Sequence, residues 1–242
     1  MKKSILLALA VLSGVGIASA DSTIVNNPNN KPYFGARLSV ESSVPGDLEY
    51  SNIKKSVYNS GAGLSVGMIY NQPIVANFYV EPGVELYYDT QKMNLDNDFL
   101  GNHRMKSHSG RSFGMRVPVM LGYHFDFSPK VNVGVFTGPV LNVGFSNDYY
   151  LTYDTEMIGG EAVRFHDSGS FYNDNAYTGA GVENAYNRVN ASWRIGVGVN
   201  FLKNYYVGIS GDLGMTNKIK HSNNGAYKQK DNLFQLTFGY NF

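Results

Sequence analysis

The chain has no cysteine among its 242 residues. Neither a disulfide framework nor a thiolate metal site is available to it. Only one tryptophan is present, and Asp, Glu, Lys and Arg together make up 16% of the residues. The signs also balance, with 20 Lys and Arg against 19 Asp and Glu. The basic excess that would hold nucleic acid is missing. Long apolar runs are missing too. Past Leu12, no stretch approaches the ~20 apolar residues that a spanning helix needs. That excludes a helical membrane protein but not a β-barrel, whose strands give a weak hydropathy signal.

Glycine and the ring residues are abundant, with 27 Gly, 18 Tyr and 14 Phe. This composition favours an all-β chain with aromatic girdles. At the N-terminus Lys2 and Lys3 precede an apolar run, Ile5 to Leu12, and Ala18-Ser19-Ala20 offers a small-residue cleavage site before Asp21. Residues 1–20 read as a secretory signal peptide. The run is short for an anchor and is broken by Gly14 and Gly16. Without Lys2 and Lys3 the count is 18 basic against 19 acidic residues, so the mature chain is near neutral. Its roughly 220 residues suit one domain. Asp21–Lys31, rich in Asn and Pro, reads as a periplasmic tail, followed by a barrel over 32–242.

Eight segments alternate with period two: Tyr33–Glu41, Gly61–Tyr70, Phe78–Asp89, Ser112–Phe127, Val131–Ser146, Val189–Phe201, Tyr205–Met215 and Leu233–Phe242. Asn71-Gln72-Pro73, Ser128-Pro129-Lys130 and Leu202-Lys203-Asn204 are short connections between them. The other connections are long, and Asn147–Arg188 runs to about 40 residues. Short periplasmic turns alternating with four long extracellular loops predict an antiparallel up-and-down transmembrane barrel. A soluble lipocalin-like barrel would turn its apolar set inward. The other set argues against that. It is Gly61, Gly63, Ser65, Gly67 and Ile69 in one segment and Asn190, Ser192, Arg194, Gly196, Gly198 and Asn200 in another. Small residues suit the cramped interior of eight strands. The apolar set ends in Tyr70, Phe78, Tyr88, Phe113, Tyr123, Phe127, Phe201 and Tyr205, as interfacial girdles do.

The last segment places Phe234, Leu236, Phe238, Tyr240 and Phe242 on one face. It resembles the terminal signal of bacterial outer-membrane barrels, which implies the barrel assembly machinery as a partner. With the signal peptide, the eight segments and the loop pattern, the mature chain resembles the small outer-membrane barrels of the OmpA and OmpX type. That resemblance implies a monomeric, non-enzymatic protein of the bacterial outer membrane. It implies contact with outer-membrane lipids and lipopolysaccharide, and roles in envelope integrity, adhesion or host contact through an extracellular ligand.

Charges on the inward set, Arg37, Glu81, Glu85, Arg116, Arg194 and Asp212, need partners at membrane depth. If Phe201 pairs with Tyr205, Arg194 faces Asp212. If Tyr88 pairs with Phe113, Glu85 faces Arg116. A charged plug is the expectation, against an ion-selective pore. With Phe127 also opposite Val131, Pro82 and Pro139 both lie beside Val119, next to Pro118. Proline gives no ladder hydrogen bond, so this patch is bulged or interrupted. Local bulges compete there with a lateral gateway of the kind found in outer-membrane palmitoyl transferases.

Chemistry-bearing motifs are weak. His221-Ser222-Asn223 resembles the His-x-Ser-Asn signature of outer-membrane lipid A deacylases, but the intervening residue is missing and Asp231 is the only acid nearby. A lipid-modifying enzyme and a small solute or lipid conduit remain as rivals. His103-Arg104-Met105-Lys106-Ser107-His108, with Lys54, Lys55, Arg111 and Lys218, reads as loop charge that meets lipopolysaccharide phosphates or is merely solvated. His103 and His108, with Asp96 and Asp98 nearby, match no metal-ligand spacing. No cofactor and no metal are expected. Tyr149, Tyr150, Tyr153, Tyr172, Tyr177 and Tyr186 predict either an adaptable binding loop or a loop packed on itself.

Overall fold

A strand with one apolar face needs an apolar surrounding for it, and a sheet of such strands removes its open edges by closing on itself. The structure of this chain, a computed structural model, describes residues 31–50, 53–55, 59–92, 103–156, 162–172, 186–202, 204–220 and 227–242. The strands are β1 (Tyr33–Pro45), β2 (Leu48–Tyr50), β3 (Ile53–Lys55), β4 (Ala62–Pro73), β5 (Phe78–Lys92), β6 (His103–Ser128), β7 (Val131–Glu156), β8 (Ala162–Ser170), β9 (Val189–Phe201), β10 (Tyr205–Gly214), β11 (Tyr227–Lys228) and β12 (Asp231–Asn241). Among the described residues there is no helix. The ring runs β6-β5-β4-β1-β12-β10-β9-β7, and pairing of β6 with β7 closes it as an eight-stranded barrel. Every pairing is antiparallel.

The register fixes the stagger. From Arg37 the circuit through Gly67, Glu85, Arg116 and Asn142 arrives at Asn190. The opposite circuit through Gly239 and Tyr206 arrives at Asn200, ten residues further along β9. A closed barrel requires such a stagger, and the strands tilt to accommodate it.

The faces divide as the alternation predicts. On β12, Phe234 and Phe238 are 51% and 47% exposed while Gln235 between them is 1% exposed. Leu38, Leu64, Val66, Met68, Ile195 and Ile209 cover the outside in the same way. Buried polar side chains fill the inside. At the short-turn end Phe34–Tyr70, Phe78–Tyr123 and Phe201–Tyr205 form ring contacts at 4.8, 4.8 and 5.6 Å. At the long-loop end Phe113 and Phe145 meet edge-on at 5.5 Å.

Several boundaries differ from the sequence reading. Asn71-Gln72-Pro73 is no turn. Gln72 and Pro73 continue β4 opposite Val80 and Tyr79, and the chain reverses over Ile74–Asn77, where Ala76 takes a φ of 50°. The Ile74 N–H donates to the Phe78 carbonyl and the Phe78 N–H to the Val75 carbonyl. Apolar turn residues hid this reversal. Ser128, rather than Phe127, faces Val131, because the register shifts between Asp126 and Ser128. The largest difference is length. β6 and β7 reach back to His103 and on to Glu156, and β8 adds a strand to β7. Much of what reads as loop is therefore a sheet rising from one side of the barrel. A smaller sheet, β11-β2-β3, lies at the same end. The proposed signal peptide and all of the tail but Lys31 lie outside the described residues.

Candidate functional site in the barrel lumen

Period two sends Arg37, Ser39 and Glu41 inward from β1 and Glu85, Tyr87 and Asp89 inward from β5, and all but Tyr87 are buried. Two arginines organise the acids. Arg194 of β9 donates through Nε and Nη2 to Asp212 at 2.6 and 2.9 Å, and through Nη1 and Nη2 to Glu85 at 2.6 and 3.2 Å. Arg116 of β6 donates to Glu41 at 2.7 Å and to Asp89 at 3.2 Å, and its guanidinium lies 4.0 Å from the Tyr87 ring centre. Gln235 donates to Glu41 at 3.0 Å and accepts from Ser210 at 3.2 Å. The two groups tie together β1, β5, β6, β9, β10 and β12 across the lumen. Room for them comes from glycine. A Cβ on Gly63 would coincide with Asp89 Oδ1.

The predicted register holds here, but one predicted contact does not. Arg194 faces Asp212 and bonds to it. Glu85 faces Arg116 as a Cα partner. Its carboxylate nevertheless goes to Arg194, and Arg116 goes to Glu41 and Asp89. The reason is geometric. An arginine arm is long relative to the bore of an eight-stranded barrel, so it reaches other strands as easily as its neighbour. Sequence reasoning missed Glu41 and Asp89, although each continues the inward alternation of its own segment.

Below the arginine groups Arg37 makes no ion pair among the described residues. It donates to Asn241 at 2.9 Å and to the Ala36 carbonyl at 3.1 Å, and stacks 4.2 Å from the Tyr206 ring centre. A Cβ on Gly35 or Gly239 would sit 2.5 or 2.6 Å from its Nη1. Glu81 is half-buried and accepts from Asn71 at 3.0 Å. Tyr79 stacks on His124 at 4.1 Å.

A cavity of about 110 Å³ opens above the arginine groups, its lining including Asp89, Arg116, Asp212, Arg188 and Lys218. Another of about 530 Å³ forms the short-turn mouth, where Tyr33, Asn132, Asn200 and Asn241 line it. The charged groups lie between them. Over the upper cavity Tyr149, Phe171, Tyr172 and Tyr186 pack as a buried aromatic cluster. Tyr153 stacks on Phe165 instead, at 5.6 Å, Tyr150 is exposed, and Tyr177 lies outside the described residues. The packed-loop reading thus describes three of the six tyrosines.

The wall is interrupted at the prolines. Pairing of β4 with β5 stops at Ile69–Gly83 and resumes at Gln72–Val80. Pairing of β5 with β6 stops at Pro82–Val119 and resumes at Glu85–Arg116. Pairing of β6 with β7 stops at Pro118–Val140 and resumes at Leu121–Thr137. The gaps follow the hydrogen-bonding direction across three neighbouring junctions. Each is flanked by intact ladder. Inside this seam Ile69, Met120 and Val140 are buried among the otherwise polar lining.

Other motif residues do not assemble. Lys54 pairs with Glu49 and Lys218 with Asp231, each at 2.6 Å. His108 is buried, edge-on to Tyr149 at 6.3 Å. No group of three or more potential metal ligands occurs among the described residues. Residues 221–226, with the His221-Ser222-Asn223 motif, lie outside them, as do Asp96 and Asp98.

Residues 9–220 match the family model of the outer membrane protein beta-barrel domain. No curated protein matches the chain. Among solved structures it is similar to the outer membrane protein OprG from Pseudomonas aeruginosa, at 9% identity and a TM-score of 0.47, covering 88% of this chain and 97% of that one. It is also similar to Ail of Yersinia pestis in complex with the heparin analogue sucrose octasulfate, at 13% identity and a TM-score of 0.34, covering 86% and 99%. Neisserial surface protein A shares 10% identity and a TM-score of 0.39, over 86% and 95%.

Proposed function

This chain belongs to the outer membrane protein beta-barrel domain family, and from that premise we propose a non-enzymatic barrel with a plugged lumen whose long-loop end works outside the cell. The observation that carries the plug is the pair of arginine groups. Arg194 bridges Glu85 on β5 to Asp212 on β10, and Arg116 bridges Asp89 on β5 to Glu41 on β1. Their side chains are at most 10% exposed, which supports a lumen filled by ion pairs rather than by a water column. The raised sheet of β6, β7 and β8 and the aromatic cluster beneath it offer a rigid platform for adhesion or host contact. In planar bilayers the wild-type protein should show no steady conductance. Arg116→Ala with Arg194→Ala should open a measurable current. A large stable current in the wild type would sink the plug.

A second reading, a lipid or solute conduit, is favoured by the seam and its apolar interior. A slit for a hydrocarbon chain needs consecutive lost pairings along one strand junction. Here each junction loses only a short stretch. That supports a crease in the wall over an open gateway, and so favours the plugged barrel.

A further inference from the structure

We propose that Arg111 and Lys92 form a phosphate-binding site on the barrel's outer rim, which takes the phosphorylated headgroup of an outer-leaflet glycolipid. The proposal rests on the orientation given above, with the long-loop end in the outer leaflet.

The register sets three rows on the outer face of β5, β6 and β7. The lowest holds Tyr88, Phe113 and Ser146, with Phe145 against Phe113. Those rings belong to the girdle, which marks the edge of the hydrocarbon. The next row holds Thr90, Arg111 and Asp148, and the one above it Lys92, Ser109 and Tyr150. Successive outward rows are about 7 Å apart along a strand, or roughly 5 Å in depth at the tilt of such barrels. Arg111 and Lys92 therefore stand about 5 and 10 Å above the girdle, at headgroup depth.

Both side chains are exposed, and neither is in an ion pair among the described residues. Asp148 faces Arg111 as a Cα partner without forming a salt bridge to it. Arg111 instead lies 4.8 Å from the ring centre of Tyr150. That stacking holds the guanidinium in place while leaving its edge free for a bidentate phosphate. Lys92 is its diagonal neighbour across the β5–β6 junction, and its flexible stem lets the ammonium approach the same headgroup from the other side of β6. Lys54 and Lys218, by contrast, are already engaged by acids. Tyr150 acts as a positioning residue.

The test is native mass spectrometry of the detergent-purified full chain with three probes: bisphosphorylated lipid A, the same lipid with both phosphates removed, and inorganic phosphate as competitor. Wild-type protein should retain the bisphosphorylated lipid about tenfold better than the phosphate-free one. Arg111→Gln with Lys92→Gln should abolish that preference, while Lys54→Gln with Lys228→Gln should leave it. Equal retention of the two lipids by wild type, which needs no variant, overturns the proposal. So does an unchanged preference in a double variant that still shows heat-modifiable migration, or an equal loss in the Lys54–Lys228 control. Full displacement by millimolar inorganic phosphate would overturn the lipid as the source. Orientation is checked separately. The chain has no cysteine, so Ser168→Cys and Ser128→Cys each give one label site. Labelling of Ser128→Cys alone on intact cells overturns the orientation, whatever the lipid experiment shows.

Discussion

Arg194→Met removes the cation from the tighter of the two lumen groups. Four hydrogen bonds go with it, two to Asp212 and two to Glu85. The two carboxylates are left facing one another, with side chains 3% and 10% exposed. Breaking a buried pair in this way costs about 3–5 kcal/mol. Because two acids are stranded, Asp212→Leu added to Arg194→Met repairs only half of the damage. A triple variant with Glu85→Gln as well should regain most of the stability. The cycle between Arg194 and Glu85 should be non-additive by at least about 1 kcal/mol, and by more than the cycle between Glu85 and its Cα partner Arg116, which share no hydrogen bond. Urea titration in lipid vesicles can read all of these variants through Trp193, the only tryptophan in the chain. Trp193 stands on the outer face beside Arg194 and donates to Thr137 at 2.7 Å, so its emission follows loss of the wall. Additive losses for Arg194 and Glu85, or the larger coupling at Glu85–Arg116, would refute the network.

Two further tests address the wall and the packing of the lumen. Pro139→Val supplies the N–H that the ladder lacks opposite Val119, so the new amide at position 139 should exchange slowly and the unfolding midpoint should rise. Rapid exchange at that position would show that the strands stand apart there and would remove the crease. Gly63→Val should destabilise by about 1–3 kcal/mol through overpacking against Asp89, while Gly110→Ala, whose Cβ would meet nothing closer than 3.8 Å, should leave the unfolding midpoint unchanged. Equal effects would show that the lumen has slack.

The barrel was legible because its two faces differ in kind. Between Phe234 and Phe242 every second residue is apolar, and the pairing of Tyr88 with Phe113 aligns two girdle residues. Above the girdle that contrast fails. His103–His108 and Tyr149–Tyr153 mix polar and aromatic residues on both faces, so period two cannot separate strand from loop there. The reversal at Ile74–Asn77 was hidden for the opposite reason, because apolar residues occupy a turn while Asn71-Gln72-Pro73 carries turn residues into a strand. Ion partners were the least legible part. Register gives the neighbour of Arg116 but not how far its side chain reaches. The acids it finds, Glu41 and Asp89, sit where the alternation first read as ending.

The junction between β1 and β12 joins parts of the chain about two hundred residues apart, the costliest loop to close. Three interior side-chain hydrogen bonds cross it: Arg37 to Asn241, Ser39 with Thr237, and Gln235 to Glu41. In hydrocarbon, apolar faces do not drive strands together as they do in water, so adhesion at this junction falls to these polar contacts. A chain whose synthesis stopped before β12 would leave Arg37 without Asn241 and Glu41 without Gln235, beside an unpaired strand edge. The same contacts that fill the lumen therefore also fasten its closing junction, and a fragment lacking β12 would bury Arg37 and Glu41 with fewer partners than the whole barrel gives them.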